Sequence, residues 1–123
     1  MKIIAYDNLK HSASIAKWLH RHGRGLKTQL PKHSYIVPGV AAIGLRIIEG
    51  NLGMIDSLVT NKLVSGPLRN KAIEALVKRA EAQAFALRLT ALIAFSTDDN
   101  TIKRAFSHGY AQQGHLILTK ELR

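Results

Sequence analysis

The chain has 123 residues, 46% of them hydrophobic, enough for one domain with its own core. It has no cysteine, which excludes a disulfide scaffold, a thiolate zinc site and a cysteine nucleophile, and fits a reducing compartment. Eighteen Lys and Arg against eight Asp and Glu give a formal charge of +10, a balance that attracts polyanions, anionic surfaces or acidic proteins.

The excess is uneven. Residues 1–33 hold Lys2, Lys10, Lys17, Arg21, Arg24, Lys27 and Lys32 against Asp7 alone, with His11, His20, His22 and His33 alongside. No apolar run reaches the roughly 18–20 residues of a membrane span. The opening segment, Met1 to Asp7, is too short and too soon polar for a secretory signal. The expectation is one cytoplasmic domain over residues 1–123, with no membrane partner.

Lys2 to Tyr6 reads as a short strand, since Ile3, Ile4 and Tyr6 suit a sheet. Ser12 or Ser14 can cap a helix running to His22, with Ile15, Ala16, Trp18 and Leu19 on its buried face. Gly23 and Gly25 end it. Strands follow at Ser34–Val37, Val40–Ile48 and Leu52–Thr60, the last two joined by a tight turn at Glu49-Gly50-Asn51. Short connections make these neighbours antiparallel.

Residues 61–67 form a loop, and Pro67 suits a first helical turn. The spacing of Ala72, Leu76, Ala80 and Ala84 predicts a helix over Leu68–Gln83. Leu87–Phe95 reads as a buried strand. The run 96–100 caps a short helix to Ser107, broken by His108-Gly109. His115–Lys120 is a closing strand. The resulting order is strand, helix, three strands, helix, strand, helix, strand. That order predicts an α/β fold: a mixed, mostly antiparallel sheet with helices on both faces.

The stretch from Ile55 to Tyr110 carries a resemblance. Its pieces are the strand Ile55-Asp56-Ser57-Leu58-Val59-Thr60, the loop and helix start from Asn61 to Lys71, the long helix, the buried strand, Asn100 to His108, and Gly109-Tyr110. In order and spacing they resemble the GNAT superfamily, the general-control-related N-acetyltransferases. The resemblance covers about residues 52–123, and the earlier elements match in order, except that the family's second helix is missing or reduced.

The resemblance implies an acyl-CoA N-acyltransferase fold and an acetyl-CoA donor whose acyl group passes to a primary amine. A helix N-terminus offers unpaired N–H groups to a pyrophosphate, and small residues allow close approach. In this sequence that place falls on Ser65, Gly66, Leu68, Arg69, Asn70, Lys71 and Ala72. The family's central glycine is replaced by Ala72 in one register and by Asn70 in the other. The same residues also read as caps and solvated charge. Leu58, Val59 and Thr60 fall where the family's strand pairs with the pantetheine amides, and Asn100 falls where an asparagine helps hold the pantetheine arm.

Asp56 matches a family carboxylate that takes the amine proton, and reads equally as a rim aspartate. The family's tyrosine acid falls on Ala105, leaving Ser107 as a weak donor nearby. Tyr110 takes the place of a packing phenylalanine. His20-Arg21-His22 lacks metal-ligand spacing, so no metal is expected. The alternative is a non-catalytic module of the same fold, such as a small viral protein would use, binding an acidic partner through the basic N-terminal third. Nucleic acid ranks last as a partner, because no recognition motif or exposed aromatic series occurs. Oligomeric state and acceptor stay open.

Overall fold

The computed structural model describes residues 1–21, 30–95, 99–113 and 117–122. Its framework is the hairpin of β3 (Ala41–Glu49) and β4 (Leu52–Thr60), turned by Gly50 at φ 59°, where a side chain would be strained. On one side β3 pairs antiparallel with β2 (His33–Val37), and β2 with the two-residue β1 (Ile4–Ala5). On the other side β4 pairs in parallel with β5 (Ala91–Phe95). β7 (Ile117–Glu121) lies antiparallel to β5, and β6 (Ala111–Gln113) forms the edge. Among the described residues the sheet is seven-stranded, in the order β1-β2-β3-β4-β5-β7-β6.

Strand alternation sends neighbouring side chains to opposite faces. Ile43 packs under α2 (Gly66–Ala86), with Tyr35, Ala72, Ile73, Leu76 and Ala80. Ala42 packs under α1 (Asn8–Arg21), with Ile15, Trp18, Leu19 and Val59. Helices therefore cover both faces, as expected. Arg79 lies over the Tyr35 ring at 4.5 Å and closes the edge of the α2 layer. A third cluster of Leu45, Ala84, Leu89, Leu92 and Tyr110 joins the end of α2 to the C-terminal strands, with Ala105 of α3 (Asp99–Ser107) against it.

Several boundaries differ from expectation, each for a local reason. α1 starts at Asn8, not after Ser12 or Ser14. The Asp7 carboxylate accepts from the Leu9 and Lys10 N–H groups at 2.8 and 3.3 Å, while the His11 ring accepts from the Asp7 N–H at 2.9 Å. α2 runs on to Ala86, and β5 starts only at Ala91. The apolar run from Leu87 is shared between a helix end and a strand. Arg88 adopts φ 62°, its N–H donates to the Phe85 carbonyl, and the Leu89 N–H donates to that of Ala84. This is a Schellman end with an arginine where glycine is usual. Gly109, at φ 86°, closes α3 in the same way. β6 was not expected. Gln112 and Gln113 carry no apolar alternation, and pairing with β7 alone makes them a strand. The turn residues Gly23 and Gly25 fall outside the described residues.

Candidate functional site

The site begins with a mismatch of ladders. β3 and β4 pair as far as Ala41↔Thr60, whereas among the described residues β4 and β5 pair from Leu52↔Ala91 to Ile55↔Ala94. Ile55 is the last residue of β4 paired with β5 among the described residues. Asp56 follows it and is the extra residue of a β-bulge: Leu45 opposes Ile55, Gly44 opposes Ser57, and the register shifts between them. The bulge explains a packing fact. Ile55 and Leu58 are an odd number of residues apart, yet both pack against the α2 cluster. Val59 points the other way, buried under α1.

Asp56 takes the face opposite α2 and meets Arg46 there. The guanidinium Nη2 donates to the Asp56 Oδ2 at 3.1 Å. The aspartate side chain is 12% exposed and the arginine side chain 48%. Gly44 stands across the ladder from Ser57 because a side chain there would meet the Pro31 ring, with Cδ 2.9 Å from the added Cβ.

The loop leaving β4 is fixed by Asn61. Its amide donates to the Gly39 carbonyl at 3.0 Å, and its side-chain oxygen accepts from the Leu63 N–H at 3.1 Å. The loop delivers Ser65 as the N-cap of α2, with no side-chain capping bond, and Gly66 with open space above it. Pro67 offers no N–H, and the Arg69 N–H returns to the Ser65 carbonyl at 3.0 Å. Leu68 is exposed, as are Asn70 and Lys71, while Ala72 is buried in the core. The Arg69 Nε is buried and has no hydrogen-bond partner among the described residues. A buried cationic donor left open beside a helix N-terminus suits an anion.

α3 closes one side. Arg104 donates to the Asn70 side-chain oxygen at 2.7 Å. Asn100 lies in the first turn of α3. The Ser107 hydroxyl donates to the Arg104 carbonyl at 2.6 Å, so it is engaged within its own helix. Lys120 bonds the Glu81 carboxylate at 3.0 Å and the His108 carbonyl, which anchors the end of α3 to α2 and β7.

Solved structures share this architecture from end to end. The chain has the GNAT fold. An acetyltransferase of the GNAT family from Staphylococcus aureus Mu50 superposes with a TM-score of 0.73 at 11% identity, covering 99% of each chain. Ard1 from Thermoplasma volcanium gives 0.76 at 11% identity, covering 98% of this chain and 96% of that one. Rv2747 from Mycobacterium tuberculosis, solved with CoA, gives 0.71 at 15% identity, covering 92% and 73%. No family model and no curated protein sequence matches the chain. At these identities the likeness is one of fold.

Within this GNAT fold, Leu58, Val59 and Thr60 end β4 and lead through the Asn61 loop to Ser65–Ala72. Asp56 and Ser107 are not brought together by any contact among the described residues. Arg46 and Arg104 were missed in the sequence. Hairpin register could have found Arg46, because it lies diagonally across the ladder from Asp56. Nothing local marks Arg104, whose partner lies 34 residues away. In the basic N-terminal third, Lys10, Lys17 and His20 are exposed on α1, a helix with no acidic residue. Arg24 and Lys27 lie outside the described residues. No described helix is long and apolar enough to cross a membrane.

Proposed function

We propose that this chain is an acyl-CoA-dependent N-acyltransferase acting on a primary amine, with residues 1–123 forming one cytoplasmic GNAT-like domain. The observation that carries the reading is the buried Arg69 Nε at the first turn of α2, which has no hydrogen-bond partner among the described residues. Among the described residues β4 pairs with β5 as far as Ile55↔Ala94, and the edge of β4 beyond that pair is where an extended amide-bearing chain would add, in the manner of strand addition. That edge leads to the first turn of α2, where the open Arg69 Nε suits a pyrophosphate. A neighbour of this fold was solved with CoA, and another is a ribosomal-protein-S18-alanine N-acetyltransferase from Escherichia coli.

Leu58, Val59 and Thr60 would hold the amide-bearing arm, and Asn100 would assist from α3. The first-turn N–H groups, Ser65, Arg69 and Lys71 would hold the phosphates, with Gly66 leaving room above the backbone. Acyl-CoA supplies a thioester carbonyl for the amine to attack. Asp56 accepts the proton the amine loses. Solvent returns a proton to the leaving thiolate, because Ala105 carries no phenol and Ser107 is bonded to Arg104.

The test has two parts. A thermal-shift titration with CoA should stabilise the protein by about 2.7 kcal/mol at a hundredfold excess over its Kd. Thiol release from acetyl-CoA with small amines should then fall about 10²- to 10⁴-fold in Asp56→Asn, while the CoA shift persists. No shift at about 1 mM CoA, the weak end of specific binding, overturns the donor site. A CoA shift without thiol release favours the second reading.

That second reading is a non-catalytic module binding an acidic partner. The acid-free exposed row of Lys10, Lys17 and His20 on α1 favours it. Reversing Lys10 and Lys17 to Glu would then abolish partner capture.

A further inference from the structure

The Arg46–Asp56 pair is made of unequal members. Asp56 is fixed by the backbone of a bulge and is nearly covered. Arg46 is half exposed at the end of a long, flexible side chain. The carboxylate is therefore the stationary charge and the guanidinium the movable one. One guanidinium nitrogen meets Asp56. A fork–fork grip on a second carboxylate would use two.

A bare ammonium approaching Asp56 must compete with a cation already in place. An acceptor carrying its own carboxylate meets no such competition. Its acid group takes Arg46 while its amine faces Asp56, so one ion pair becomes two and no unpaired charge is buried. We propose that Arg46 and Asp56 together select an acceptor with a carboxylate close to its amine, an amino-acid-like zwitterion, and that Arg46 sets this preference. The assignment rests on the acyl-transfer reading above for its chemistry, but not for its binding.

The reaction balances without further reagents. The acceptor ammonium first releases one proton to water. The free amine then attacks the thioester carbonyl, so that the C–N bond forms and the C–S bond breaks. The second proton leaves the nitrogen to Asp56 and passes to solvent, and the thiolate takes one proton from solvent. Arg46 takes no proton and holds the acceptor's acid group throughout.

The experiment compares glycine and β-alanine with methylamine and ethylamine, which differ by the acid group. Two readouts are used: thiol release with acetyl-CoA, and NMR shift titration of the protein with each compound alone. The wild-type chain should favour the acid-bearing member of each pair by about 10- to 100-fold, the range of one hydrogen bond to a charged group. In Arg46→Gln that ratio should fall toward one, and Arg46→Lys should retain part of it. A wild-type chain that does not discriminate, or a ratio unchanged in Arg46→Gln, overturns the proposal. If no amine is acetylated, the acyl-transfer reading fails and the titration alone decides: an Arg46-dependent preference upholds recognition, and its absence overturns it.

Discussion

Arg104 of α3 donates to the Asn70 side chain in the first turn of α2 at 2.7 Å. The bond ties two elements that the chain order keeps apart. It also stands next to Arg69, whose Nε is buried without a partner. The cationic end of α2 is therefore braced from outside by a second arginine, while the donor beside it stays open. On the proposed function, a helix start held in shape this way lowers the ordering cost of binding the phosphates.

Asn70→Ala should uncouple that brace. The pair is exposed, so the stability loss should be small, about 0.5–1.5 kcal/mol by urea denaturation. CoA affinity, read by calorimetry, should fall severalfold because the Arg104 side chain is released. If Arg104 only covers the surface, the double variant Asn70→Ala/Arg104→Ala will show additive losses. Coupling between the two positions is the expected result.

Gly44 stands opposite the bulge at Asp56, and its lack of a side chain is structural. A Cβ would lie 2.9 Å from the Pro31 Cδ and 3.3 Å from the Ser34 Oγ. The Pro31 ring cannot rotate away, and the Ser34 hydroxyl donates to the Pro31 carbonyl at 2.6 Å, which fixes the contact. Gly44→Ala should therefore destabilise by about 1–3 kcal/mol, the usual cost of overpacking. An unchanged denaturation midpoint would mean that the segment at Pro31 yields freely.

The same contrast explains what the sequence could disclose. Elements with internal periodicity were readable: α2 through Ala72, Leu76, Ala80 and Ala84, and β3 through its strand formers. So was the end of α3 at Gly109, where only glycine sits easily. Features set by distant contacts were not readable. The bulge at Asp56 follows from placing both Ile55 and Leu58 under α2, which no local pattern states. Asp7 outcompeted Ser12 and Ser14 as a cap because His11 reaches back to its N–H. Arg88 in a left-handed conformation gives no residue-type signal at all. In the site, the loop and helix start were visible as a run of small and basic residues. The cation that faces Asp56 and the brace on Asn70 appear only once strands and helices are assembled.

Tyr110 carries a pH prediction. Its hydroxyl is buried beside the Glu81 carboxylate, and the Lys120 ammonium lies 5.7 Å from its ring centroid. Burial first, and then the nearby Glu81 carboxylate, push its phenol well above the ordinary value of 10.0. The folded state therefore keeps the phenol's proton at pH values where the unfolded chain has lost it. The unfolded state binds fewer protons there, so stability falls as pH rises. The contribution is intact below 10.0, the unfolded value, and is lost progressively above it. Tyr110→Phe removes this contribution. Near neutral pH the variant should lie within about 1 kcal/mol of the wild type, since the hydroxyl it deletes is buried beside the Glu81 carboxylate. Above the phenol's ordinary value it should lose stability with a shallower slope than the wild type. The slope will not vanish, because burial also raises the phenol of Tyr6. Urea midpoints measured from about pH 8 to about pH 11, which spans the ordinary phenol value, decide the matter: parallel curves would show that Tyr110 ionises in the folded protein as freely as in the unfolded chain.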